Sequence, residues 1–108
     1  MRRFALLSAL LLGAAGCGGG RTISLATLAA KQQAYNGKRV ETSGTVRRER
    51  DADGATYYVL GDAAGDLVGL RPPGEARRYA GDPVVVTGVF RIVPGFGRAL
   101  RISSIRRG

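Results

Sequence analysis

One thiol, no imidazole and an excess of guanidinium groups bound the chemistry open to this 108-residue chain. Cys17 is its only cysteine, and histidine is absent. Ser–His–Asp triads and Cys–His pairs need an imidazole as base, so both are excluded. Zinc sites of the usual Cys/His type are excluded with them. An enzyme would have to rest on carboxylates or hydroxyls. The close acidic pairs are Asp51 with Asp53 and Asp62 with Asp66. The first pair falls in the stretch Asp51-Ala52-Asp53-Gly54, where an Asp side chain bonds local backbone and sets a turn. No catalytic constellation, metal site or cofactor is expected. The chemistry that remains is binding. Aromatic rings near arginines can stack on planar groups while the guanidinium groups meet phosphate or carboxylate, and Arg47, Tyr57 or Tyr58, Arg71, Phe96 and Arg98 are the candidates if the fold brings them to one face.

The thiol itself stands in a revealing place. Arg2 and Arg3 begin the chain, Phe4 to Leu12 are apolar but for Ser8, and Gly13 to Gly16 are small. This is the order of a secretory signal peptide. The run from Phe4 to Gly16 is thirteen residues, short of the roughly 20 that a membrane-spanning helix needs. The run Leu12-Gly13-Ala14-Ala15-Gly16-Cys17 resembles the lipobox of bacterial lipoproteins, with Ala14 where that family usually has Leu. The resemblance implies that residues 1–16 are removed and that Cys17, the new N-terminus, carries the lipid. Gly18-Gly19-Gly20 then supplies a flexible tether. The expected organisation is a signal peptide at 1–16, a lipidated cysteine and tether at 17–22, and one domain at 23–108. The expected location is extracytoplasmic, anchored by lipid to the cell membrane or the outer membrane.

The chain from Cys17 onward has 92 residues, fifteen basic and eight acidic, a formal charge of +7. Its length suits one small domain. With the thiol acylated there is no disulfide, so an apolar core must carry the fold. The charge favours anionic partners, although thirteen of the fifteen basic residues are Arg in a chain rich in Ala and Gly, a bias that base composition alone can produce.

The elements that must position these residues are legible as patterns. Ser24 to Tyr35 reads as one amphipathic helix, capped by Ser24, with Leu25, Leu28, Ala29, Gln32 and Tyr35 along a stripe and Asn36-Gly37 as its end. Lys38 to Arg50 reads as a long strand with Val40, Thr42, Gly44 and Val46 on one face, Gly44 marking a bend. Thr56 to Leu60 and Leu67 to Arg71 follow as strands, with turns at Asp51–Gly54 and Gly61–Asp66. Pro72-Pro73-Gly74 stops the third strand, and Glu75 to Ala80 reads as a short helix. Val84 to Ile92 is a fourth strand with a kink at Gly88. Arg98 to Ile105 is the fifth, with Leu100 and Ile102 inward and Arg106 to Gly108 as a tail.

Three strands, a short helical link and two strands is the order of an OB-fold, an all-β, five-stranded Greek-key barrel, here with an added N-terminal helix. The segments Tyr35-Asn36-Gly37-Lys38-Arg39-Val40-Glu41-Thr42-Ser43-Gly44-Thr45-Val46, Tyr57-Tyr58-Val59-Leu60 and Gly81-Asp82-Pro83-Val84-Val85-Val86-Thr87-Gly88-Val89-Phe90 resemble bacterial OB-fold proteins of the nucleic-acid-binding, tRNA-anti-like type. The resemblance spans about Ser24 to Ile105 and implies architecture more than ligand. Haem chaperones of cytochrome c maturation share this fold but attach haem through a histidine, which this chain lacks. OB-folds bind on the outer face of strands two and three, framed by the loops between strands one and two and between four and five. Those loops would be Glu49 to Ala55 and Val93 to Gly97. The face would carry Arg47, Tyr57 or Tyr58, and Arg71, with Phe96 and Arg98 at the rim; alternation leaves open which tyrosine faces out.

Three roles fit these features. The first is a lipid-anchored extracytoplasmic binding module without catalytic activity. The second is an anion-binding barrel for single-stranded nucleic acid or an acidic envelope polymer. The third is an envelope module that docks another protein. The anchor carries its own test: Cys17→Ser is expected to move the protein out of the membrane fraction and to abolish the acyl mass increment on the N-terminal peptide, and an unacylated parent chain would refute it.

Overall fold

A computed structural model describes residues 22–108. The signal peptide, Cys17 and the glycine tether expected from the sequence lie outside the described residues. Chain order is α1 (Leu25–Ala30), α2 (Gln32–Tyr35), β1 (Arg39–Arg50), β2 (Thr56–Gly61), β3 (Leu67–Arg71), α3 (Pro73–Ala76), a 3₁₀ turn (Arg77–Tyr79), β4 (Pro83–Val93) and β5 (Gly97–Arg107).

The N-terminal helix departs from the single element expected. It breaks at Lys31, whose φ of −124° and ψ of 39° leave the helical region. The break keeps Leu25 and Leu28 in the core while Tyr35 packs against the rim of the same cluster, a pair of positions that one straight stripe does not serve. Ser24 caps α1 as expected, its Oγ accepting the Thr27 N–H at 3.1 Å. Gly37 ends α2 at φ +85°.

The five strands close into a ring in the order β1-β2-β3-β5-β4. All neighbours are antiparallel except β3 and β5, which run parallel. β1 serves two partners: Arg39 to Thr45 pair with β4 and Thr45 to Arg50 pair with β2. Phe90 donates its N–H to the Lys38 carbonyl and registers with Leu100, Leu100 with Leu70, Leu70 with Tyr58, and Tyr58 with Arg48. One circuit of the ring thus returns to the β1 side ten residues beyond its start, the stagger that a closed, tilted barrel requires. Phe90, Leu100, Leu70 and Tyr58 on this circuit are all buried and form a belt of the core, to which α1 adds Leu25 and Leu28 and α3 adds Ala76.

Two glycines permit the closure. A Cβ on Gly44 would stand 2.7 Å from the Gly61 carbonyl oxygen, so β1 crosses from β4 to β2 at a residue with no side chain. A Cβ on Gly88 would overlap the Arg101 carbonyl. There the β4–β5 register shifts, with Thr87 opposite Ser104 and Gly88 opposite Ile102, so Ser103 is the extra residue of a bulge.

Both early turns use one device. Asp51 Oδ1 accepts the N–H groups of Asp53 and Ala55, both at 2.9 Å. Asp62 Oδ1 accepts those of Ala64 at 3.0 Å and Asp66 at 2.9 Å. The helical link also differs from expectation: it starts at Pro73, whose fixed φ suits a first helical turn, and finishes as a 3₁₀ turn. Arg106 and Arg107, expected in a tail, belong to β5, opposite Val85 and Val84. Arg107 Nε bonds Asp82 at 2.9 Å and its guanidinium lies over the Tyr79 ring.

Thr42 is fully buried inside the barrel, and its hydroxyl has no hydrogen-bond partner. An unpaired buried hydroxyl costs about 1–3 kcal/mol. Thr42→Val is therefore expected to raise stability by about 1 kcal/mol and Tm by about 4–8 °C in a thermal melt. Gly44→Ala is expected to lower stability by about 1–3 kcal/mol through overpacking against Gly61.

Candidate functional site

Alternation on β2 decides between the two tyrosines. Tyr58 is 6% exposed and sits in the core, whereas Tyr57 is half-buried on the outer face. Next to Tyr57 on that face, Val59, Gly69 and Ala99 are registered partners across β2, β3 and β5. Val59 and Ala99 are buried yet do not belong to the interior cluster. They form a shallow apolar strip on the outside of the barrel, with a glycine at its centre.

Phe96 occupies that centre. Its ring edge would lie 2.5 Å from a Cβ on Gly69, so only glycine allows the ring to rest on β3. The β4–β5 loop that delivers it carries Gly95 at φ +77° and Gly97 at φ +110°, a left-handed geometry that favours glycine on both sides of the phenylalanine. The Phe96 and Tyr57 rings meet edge to face, with centroids 6.2 Å apart. The Arg71 guanidinium lies 4.3 Å from the Phe96 centroid, within cation–π range. Phe96 nevertheless keeps 41% of its surface exposed, the one large hydrophobic side chain so exposed among the described residues.

The Tyr57–Phe96 pair is a ridge between two grooves. One, of about 470 Å³, runs along Tyr57, Arg71, Pro72, Phe96 and Arg101. The other, of about 570 Å³, runs along Asp51, Val59, Leu67, Phe96 and Arg98. In the first groove Arg71 and Arg101 are directly registered on parallel neighbouring strands, and both are exposed. Neighbouring strands are about 4.8 Å apart, and like charges placed opposite each other repel. The ion pairs among the described residues are Arg47 with Glu49 and Arg107 with Asp82; neither Arg71 nor Arg101 is in one.

Of the five residues expected on this surface, the structure brings Tyr57, Arg71, Phe96 and Arg98 together and sets Arg47 apart. Arg47 faces outward beside Val59, but its side chain runs over Gly61 toward Glu49, 3.6 Å away, and lines a different groove with Ser43, Asp62 and Pro83. Gly61 has no side chain, and the Arg47 stem lies over the space this leaves, on the side of its strand away from Tyr57. Arg98 is close to the ridge but committed: its Nε and Nη2 donate to the Leu67 carbonyl at 3.3 and 2.9 Å, tying β5 to β3. Arg101 was missed by the sequence reading. Its signal was present, since Leu100 and Ile102 inward place Arg101 outward, but its neighbour Arg71 follows only from the parallel β3–β5 pairing.

Asp51 and Asp62 each spend one carboxylate oxygen on the backbone of their turns, which makes them structural. No group of three or more His, Cys, Asp or Glu side chains is placed to hold a metal among the described residues. No described helix is long and apolar enough to cross a membrane. Compared with known protein families and with curated proteins, the chain matches neither.

The seat beneath Phe96 makes Gly69→Ala informative. The added methyl meets the far end of the Phe96 ring, a loop side chain, more closely than any backbone atom, so the barrel is expected to survive and the ring to leave. The measurement is NMR: Tyr57–Phe96 ring contacts should vanish while the amide spectrum of β1 and β4 persists. Retention of those contacts would refute the assigned packing.

Proposed function

We propose that this protein is a lipid-anchored, extracytoplasmic OB-fold module that binds an anionic ligand and catalyses no reaction. The OB-fold reading is supported by the closed five-strand ring in the order β1-β2-β3-β5-β4, the helical link between β3 and β4, and the long first strand shared between β4 and β2. The anchor rests on the lipobox-like run ending at Cys17.

The observation that carries the ligand class is the Arg71–Arg101 pair beside the Tyr57–Phe96 ridge. Two arginines stand on adjacent strands, neither in an ion pair, and an anion in the groove would offset their charge. Phe96 and Tyr57 offer ring surface next to that charge, and Pro72 and Pro73 wall the groove on its far side. This combination suits a polymer that alternates charge with planar or apolar units. Single-stranded nucleic acid has that pattern, and an acidic envelope polymer presents the charge.

The test uses a fluorescent oligothymidylate and a soluble acidic polysaccharide, each titrated over a salt series. Binding that weakens steeply with salt is expected. Arg71→Ala and Arg101→Ala should each lower the salt slope by about one, as the loss of one charge contact does. Phe96→Ala should weaken oligonucleotide binding at every salt concentration, by about 1–3 kcal/mol if a base stacks there. Absence of binding to both polymers at low salt would refute the anionic ligand.

A further inference from the structure

The end of the domain nearest the proposed anchor carries more cationic than acidic side chains. No Asp or Glu precedes Glu41, whereas Arg21, Lys31, Lys38 and Arg39 do. Lys31, Lys38 and Arg39 are exposed, and so is Arg91 of β4. The backbone gathers them. Tyr35 donates its N–H to the Lys31 carbonyl, and Lys38 donates to the Tyr35 carbonyl at 2.9 Å. Phe90 donates to Lys38, and the Ile92 N–H donates to Asn36 Oδ1 at 3.0 Å, which holds Arg91 against the same loop. The carboxylate at this end is Glu41, which accepts a hydrogen bond from the Thr22 hydroxyl at 2.8 Å and offsets one of the four positive charges.

That same contact fixes where the chain enters the barrel. Thr22 bridges to Glu41, and the Ile23 N–H donates to the Glu41 carbonyl at 2.7 Å. Cys17 to Thr22 is five residue steps, which span at most about 17 Å when fully extended. A lipid on Cys17 therefore holds this end of the barrel within about two Debye lengths of the bilayer at physiological ionic strength.

We propose that this end docks on anionic phospholipid headgroups through Lys31, Lys38, Arg39 and Arg91. The geometry rests on the lipid anchor proposed above; the residues are independent of it. Lys31 and Lys38 lie on the helical segment and the α2–β1 loop, away from the proposed ligand groove, whereas Arg91 is registered with Ala99 and Arg39 stands two strands from Arg101, so the basic surface adjoins the groove. The acyl group confines the barrel near the surface, and the basic end sets which way it faces.

The experiment uses the chain from residue 17 to 108 with Cys17→Ser, so that no acyl group contributes. The core cluster lies wholly within this span. Cosedimentation is measured with vesicles of phosphatidylglycerol and phosphatidylcholine, and with vesicles of phosphatidylcholine alone. Preference for the anionic vesicles is expected, weakening as salt rises. Each basic side chain near the surface is worth about a fivefold change in affinity, so combined Lys31→Gln, Lys38→Gln and Arg39→Gln should lower it about a hundredfold. The same triple variant should bind the oligothymidylate as the parent does, which also shows that it is folded. Arg71→Ala with Arg101→Ala should do the reverse. Equal binding to both vesicle types overturns the inference, as does loss of vesicle binding only in the groove variant. The anchor is read separately, from the mass of the N-terminal peptide of the wild-type protein made in cells: an unacylated Cys17 there removes the anchor while leaving the vesicle result to stand or fall alone.

Discussion

Closing five strands into a ring places one demand above the others: β1 must belong to both halves of the barrel. It pairs with β4 along its first half and with β2 along its second, and the circuit of the ring is staggered by ten residues between Lys38 and Arg48. A strand can satisfy both partners only by bending sharply between them. Gly44 stands beside the change of partner, where the Gly61 carbonyl fills the space a side chain would take. Gly88 and the bulge at Ser103 do the same for β4 against β5. The buried belt of Phe90, Leu100, Leu70 and Tyr58 follows from this stagger, since it brings residues distant in sequence to one level of the core.

The candidate groove depends on the same closure. β3 meets β5 in parallel because the chain crosses the barrel end through α3 and β4 before returning. That single parallel contact registers Arg71 with Arg101 and Gly69 with Ala99. It thereby creates both the unpaired positive charge and the glycine seat on which Phe96 rests. The two Asp-locked turns stiffen the hairpins that flank this face. A shallow site on the outside of a barrel needs such rigid support, because nothing packs over it to hold its side chains.

Anchor and groove make different use of charge. Near the proposed tether, Lys31, Lys38, Arg39 and Arg91 outnumber the one carboxylate at the chain entry point, Glu41, a balance suited to a diffuse anionic surface. In the groove, two arginines are held side by side next to aromatic rings, suited to a defined anionic group. Three other arginines make contacts within the domain: Arg98 ties two strands, Arg107 bridges to Asp82, and Arg47 lies 3.6 Å from Glu49.

Much of this was legible in the chain. Alternation placed Val40, Thr42 and Val46 of β1 and Val84, Val86 and Phe90 of β4 inward, Ser24 and Gly37 bounded the helical segment, and Asp-x-x-Gly stretches marked the two turns, because each is a local preference that neighbours in sequence can satisfy. The break at Lys31 and the extension of β5 through Arg107 were not legible, since packing against the barrel and pairing with Val84 override local propensity there. By itself the sequence determined the strand count and order, the absence of histidine chemistry, and the lipobox-like run before Cys17. Only the tertiary structure decided which tyrosine faces out, that Arg101 rather than Arg47 stands beside Arg71, and that Phe96 lies on Gly69. Those are pairings between strands far apart in the chain, and they are set by the register of the closed ring rather than by any residue's own preference.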